Sequence, residues 1–125
     1  MELLLVYERI RNYILLIRMD IMEAIKLDKQ EFQIWLEKHQ DNDVVGESIS
    51  FHLCPIANFF QYCGAAFSCC YEEKISYVCS GIYYVNQLLP EWAIQFIKRI
   101  DNILDKEKQH CNITARQALE VLEIC

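Results

Sequence analysis

Glycine and proline are scarce in this chain of 125 residues, at three and two copies. Collagen-like, linker-like and proline-rich low-complexity chains need many more, so those classes are excluded. Gly46, Gly64 and Gly81 stand far apart, and no phosphate-cradling loop can be built from them. Positive charge is short as well. Twelve Lys and Arg face eighteen Asp and Glu, leaving a net charge of −6. Each phosphate contact needs a cation, so this balance argues against direct nucleic-acid binding and against an anionic membrane surface. No apolar run is long enough to span a bilayer, because Glu8, Arg9, Arg11, Arg18 and Asp20 break the greasiest stretch. Neither G-x-S-x-G nor H-E-x-x-H occurs, and closely spaced cysteine knuckles are missing.

Apolar residues are plentiful, at 54% with 12% aromatic. A chain of this length buries roughly two thirds of its unfolded surface, so one domain spanning residues 1–125 can be held by an ordinary core. Cysteine is also plentiful: Cys54, Cys63, Cys69, Cys70, Cys79, Cys111 and Cys125. An odd number cannot all pair within one chain, and the adjacent Cys69 and Cys70 suit a mutual disulfide poorly. The first residues include Glu2 and lack a basic n-region followed by a small-residue cleavage site. The expectation is a cytoplasmic protein whose reduced thiols pack as small apolar groups.

Periodicity predicts an α+β fold of about five helices with a small antiparallel hairpin or three-stranded sheet. Leu3, Val6, Tyr7, Ile10, Ile14, Ile17, Ile21 and Ile25 form a helical stripe over residues 1–26. Such a helix is ~39 Å long, against roughly 36 Å for the diameter of a compact domain of this size. Leu4, Leu5, Leu15 and Leu16 widen its apolar surface, which makes it a candidate docking extension. Met19 is an alternative start that would turn the first eighteen residues into an addition. A second helix is predicted over Asp28 to His39, with Asp28 and Glu31 resembling a capping box and Phe32, Trp35 and Leu36 inward. A polar loop over 40–50 leaves room for an extended piece at Val44 and Val45. Pro55 suits the first turn of a third helix from Cys54 to Cys63, and Gly64 its terminator.

The period then shortens to two. Phe67, Cys69 and Tyr71 alternate with Ala66, Ser68 and Cys70, and Ile75, Tyr77 and Cys79 alternate with Ser76, Val78 and Ser80. Glu72, Glu73 and Lys74 make the turn of a hairpin, Gly81 marks a bulge or bend, and Ile82 to Val85 add a third strand or prolong the second. Pro90 to Leu104 reads as a helix, residues 105–112 as a polar link, and Thr114 with Gln117 as the capping box of a last helix.

Four short segments resemble a known skeleton: Val44-Val45-Gly46, Cys54-Pro55-Ile56-Ala57, Leu89-Pro90-Glu91-Trp92-Ala93, and Ile113-Thr114-Ala115-Arg116-Gln117-Ala118-Leu119. Over residues 28–122 the chain is similar to small uncharacterised bacterial proteins. That resemblance implies a bacterial, phage or mobile-element source and assigns no activity to any residue.

Two constellations carry chemical interest. His52, Cys54, Cys63, Cys69, Cys70 and Cys79 lie close together in sequence, and the first four offer nitrogen and sulfur ligands for zinc, but His52-x-Cys54 is a loose pair and Cys69 and Cys70 point to opposite faces of a strand. Cys54 precedes a helix start, where backbone N–H groups favour a thiolate, and His52 or His110 would then be the base of a thiol-dependent protein. The plainer reading is that these thiols cap and pack. Tyr62, Tyr71, Tyr77, Tyr83, Tyr84 and Trp92 crowd the middle of the chain and suit either core packing or a protein interface. The expectation is a non-enzymatic protein without a cofactor that acts through a protein partner or by self-association, with Leu4, Leu5, Leu15, Leu16, Tyr83 and Tyr84 as contact candidates. The alternatives are an anti-CRISPR-like inhibitor of a host defence complex and a zinc-binding or thiol-dependent protein.

Overall fold

The computed structural model describes residues 6–10, 25–79, 83–102 and 111–125. It shows five helices and two antiparallel sheets built as one α+β unit. In chain order these are α1 over residues 6–10, α2 (Lys29–Glu37), β1 (Val44–Glu47), α3 (Pro55–Tyr62), β2 (Phe67–Tyr71), β3 (Lys74–Cys79), β4 (Tyr83–Leu88), α4 (Glu91–Asn102), β5 (Asn112–Thr114) and α5 (Ala115–Glu123).

Local chemistry explains most boundaries. The Asp28 carboxylate accepts from the Gln30 and Glu31 N–H groups at 2.8 and 3.1 Å, which starts α2. Pro55 occupies the first turn of α3 behind the N-cap Cys54. Beyond its end Gly64 takes φ +116°, a conformation that side chains resist. Thr114 and Gln117 form the reciprocal capping box of α5.

Three boundaries differ from expectation. The helix drawn over 1–26 does not reach its C-terminal limit, because residues 25–28 are irregular. There the Ile25 N–H donates to the Tyr77 hydroxyl and its carbonyl accepts from Gln87, so tertiary partners take the groups a helix would use. The predicted polar link over 105–112 ends in strand β5, which pairs with β1. The third strand is separate and longer than drawn, running over Tyr83–Leu88 beside β3. Residues 1–5, 11–24, 80–82 and 103–110 lie outside the described residues, and with them Leu4, Leu5, Leu15, Leu16 and His110.

The core lies between the helices and the inner face of the order β2-β3-β4. Phe32 is its aromatic centre. Its ring lies 5.2 Å from Phe96 and 5.4 Å from Phe59, both edge-on, and 5.8 Å from Trp35 and Trp92. Edge-on and offset pairs of this kind add to the transfer energy of each buried ring, about 0.5–1.5 kcal/mol per pair. From the sheet, Tyr77 meets Phe60 at 5.0 Å. The small sheet closes a different side. In β1 the register slips between Val44 and Gly46, a bulge that buries Val45 and brings Gly46 against the start of α3.

Candidate functional site

The N-terminal turn of α3 carries Cys54, the thiol that the sequence singles out as a candidate nucleophile. Gly46 allows β1 to pass closely, since a Cβ there would sit 2.6 Å from the Pro55 nitrogen. The Glu47 N–H donates to the Leu53 carbonyl at 2.7 Å, and the Asn58 amide donates to the Val45 carbonyl at 2.8 Å. These bonds fix the 51–54 segment against β1. Cys54 then caps α3, its sulfur accepting from the Ala57 N–H at 3.4 Å.

Strand β2 brings a second thiol to the same place. The Cys70 N–H donates to the Phe51 carbonyl at 2.8 Å, and the Ser68 hydroxyl donates to the Ala57 carbonyl at 2.6 Å. Both residues face inward and are buried. Side-chain hydrogen bonding from Cys70, with the Ala57 and Ile56 N–H groups, holds the Cys54 thiol below its usual range against the cost of burial. The Cys70 thiol is pushed up, first because its proton is committed to Cys54 and second because it is buried.

A pocket of about 430 Å³ opens over Cys70, between the 49–51 loop, the Glu72-Glu73 turn and α4. Ile49 and Glu72, the non-glycine residues with positive φ among those described, both line it, at 52° and 54°. A β-branched residue in that region is strained by roughly 1–3 kcal/mol. The Asp101 carboxylate holds Ile49 there by accepting its N–H at 2.7 Å.

The structure sorts the remaining candidates. His52 is exposed, and the groups acting on the Cys54 thiol are Cys70, the two N–H donors and Asp101, with no imidazole among them. Cys63 lies exposed at the opposite end of α3. Cys69 points away from Cys70, to the outer face of β2. Among the described residues no three His, Cys, Asp or Glu side chains are grouped to hold a metal ion, and the four suggested ligands do not converge. With Cys54 only 2% exposed, a bulky substrate cannot reach its sulfur.

A second feature is a surface. Cross-strand registers place Phe67, Val78 and Tyr84 in one row, Cys69, Ser76 and Asn86 in the next, and Tyr71, Lys74 and Leu88 in the third. Phe67, Tyr71, Tyr84 and Leu88 are 74, 56, 65 and 70% exposed on this outer face. Of the contact candidates, Tyr84 belongs to this face, and Tyr83 stands in β4 opposite Cys79. Tyr71, named above among the residues suited to packing or an interface, belongs to this face as well, whereas Phe67 and Leu88 were missed. Their signal is the inward alternation of Ile75, Tyr77 and Cys79, which turns every second residue of the paired strands outward. In α1, Val6, Tyr7 and Ile10 are also exposed.

No protein family, curated protein or solved structure matches the chain.

Proposed function

We propose that this protein acts without catalysis, by binding another protein through the outer face of the β2-β3-β4 sheet. One observation carries this reading: two tyrosines, a phenylalanine and a leucine lie mostly uncovered on one small sheet face. A large side chain of this kind has 150–250 Å² to bury, so the four offer roughly 400–600 Å². Phe67 with Tyr84 and Tyr71 with Leu88 flank the row of Cys69, Ser76 and Asn86; exposed apolar area of this extent is often functional, and aromatic residues are enriched at interface centres.

The rim indicates the partner's chemistry. Glu72 and Glu73 flank Tyr71 at the turn, Lys74 is the cation of the central strand's outward positions, and the whole chain carries −6. A second copy brings the same negative charge to the contact. A different protein, apolar at its centre and basic at its rim, is the better electrostatic match. The reduced thiols suit a cytosolic setting for this encounter.

The test places a photo-crosslinking amino acid at position 84 of the full chain, in cells of the source. The expected product is a crosslink to one other polypeptide, lost in the double variant Phe67→Glu, Leu88→Glu and kept in Gln33→Glu on the exposed side of α2. Circular dichroism establishes that both variants fold. Crosslinks to copies of the same chain alone, no crosslink at all, or a partner retained by the double variant would each overturn the reading.

A further inference from the structure

The 430 Å³ pocket has its own walls, yet one ring joins it to the outer face of β2-β3-β4. Phe51 lines the pocket, and its ring meets the Tyr71 ring of the outer face edge-on at 5.4 Å. Both residues are 56% exposed, so a continuous aromatic surface links the sheet face to the pocket.

Hydrogen bonds hold the walls. The Cys70 N–H donates to the Phe51 carbonyl, the Leu89 N–H to the Glu73 carbonyl, and the Ile49 N–H to the Asp101 carboxylate. Tyr71 pairs with Lys74 and closes a two-residue turn in which Glu72 takes φ 54°. Gly or Asn is the easier residue at such a position, so a glutamate lines the pocket there at a conformational cost.

Charge and shape select the occupant. Ile49, Phe51 and Ile97 supply apolar lining. Glu72, Glu73 and Asp101 supply three carboxylates against one ammonium, that of Lys98. Asp101 is committed to Ile49, whereas no ion pair or side-chain hydrogen bond with another described residue engages the Glu72 or Glu73 carboxylate. An apolar lining with surplus negative charge fits a cation carried on an apolar stem. Ligand pockets run from about 300 to 1,000 Å³, and this one, near the lower end, suits one long side chain better than a large cofactor. Guanidinium matches better than ammonium. Its planar fork can bridge two carboxylates, its face stacks on an aromatic ring, and it is more weakly hydrated.

Resting on the docking face proposed above, we infer that its partner seats one arginine side chain in this pocket. The stem lies against Ile49 and Ile97, and the guanidinium stacks on Phe51 and donates to the carboxylates of Glu72 and Glu73. The sheet face then supplies apolar area, and the arginine decides which basic protein is accepted.

The experiment titrates the full, isotope-labelled chain with Nα-acetyl-arginine methylamide and follows the backbone amide resonances. The blocked arginine should shift Ile49, Phe51, Glu72, Glu73 and Ile97 saturably, while blocked citrulline, its neutral isostere, should bind about tenfold more weakly or worse. The double variant Glu72→Gln, Glu73→Gln should weaken arginine by a similar factor and lower the yield of the position-84 crosslink to the partner. If that variant fails to fold, the comparison of arginine with citrulline on the unaltered chain decides. Equal binding of citrulline or of blocked lysine, shifts confined to other residues, or no shifts would overturn the inference without touching the position-84 crosslink. Selective arginine binding with no crosslink from position 84 would instead overturn the docking reading, and with it the partner as the source of the arginine.

Discussion

The Tyr77 hydroxyl donates to the Gln87 side-chain carbonyl at 2.8 Å, from one strand to its neighbour, and together they hold Ile25 by both of its backbone polar groups. Tyr77 is 1% exposed, so its hydroxyl has no water to fall back on. The N-terminal approach to α2 is thereby moored to the sheet through a side-chain clamp. Tyr77→Phe removes two of the three bonds and leaves the Ile25 N–H without its acceptor. The expected cost is about 1–3 kcal/mol in urea unfolding, with faster proteolytic cleavage near residue 25. Unchanged stability and cleavage would show that the clamp contributes little.

Gly46 and Gly64 are required for different reasons, and alanine substitution separates them. At Gly46 the added methyl collides with backbone, 2.6 Å from the Pro55 nitrogen and 2.7 Å from the Leu53 carbonyl. Neither atom can step aside without moving α3, so Gly46→Ala should cost about 1–3 kcal/mol or more and disturb the Cys54 cap. At Gly64 the added methyl meets nothing within 4 Å, and the cost comes from φ +116° alone. Gly64→Ala should lose about 1–2 kcal/mol and leave the near-ultraviolet dichroism intact. Equal spectral change in both variants would contradict this division.

Phe32→Ala removes the ring around which Trp35, Phe59, Trp92 and Phe96 are arranged. With no exposure at that position, the loss should reach about 3–5 kcal/mol, a large part of the stability of a domain this size. Phe32→Leu keeps most of the volume and should lose clearly less. Thermal unfolding followed by tryptophan fluorescence measures both.

Stability should fall on the alkaline side. Burial raises the Tyr77 phenol and the thiols of Cys63, Cys69 and Cys125, and the bond to Cys54 with burial raises Cys70. The unfolded chain therefore releases these protons first, from about pH 8 for thiols and pH 9 for tyrosine. Where the folded state holds more protons, the free energy of unfolding declines as pH rises. Cys54 is lowered and opposes the trend as one group against five. Urea midpoints at pH 7.5 and pH 10 under reducing conditions should differ, with the lower value at pH 10. A flat profile would mean that these protons are not held by folding.

The legible parts of this protein are local. Pro55, the capping pair Thr114 and Gln117, the Gly64 terminator and the 3.6-residue spacing of Phe32, Trp35 and Leu36 act within a turn or two, so neighbouring residues alone announce them. The alternation of Ile75, Tyr77 and Cys79 announces a strand in the same way. Strand β5 was not legible, because three residues within a polar stretch become a strand only when β1 supplies their partners.

Which face of β2 turns inward is the sharpest case. Taken alone, Phe67 and Tyr71 would be buried in preference to Ser68 and Cys70. Pairing with β3 reverses this: Ser68 and Cys70 share a face with Tyr77 and Ile75, whose burial has more apolar area to gain. The same register exposes the aromatic pair and carries Cys70 to the thiol of Cys54. The amino-acid order by itself determined the α+β class, the starts of α2, α3 and α5, the stop at Gly64 and the Cys54 cap, since each rests on interactions between close neighbours. Tertiary structure alone decided which thiol meets Cys54, how Ile25 is moored and which apolar side chains stay uncovered. Those outcomes depend on strand register and on groups up to 62 residues apart in the chain.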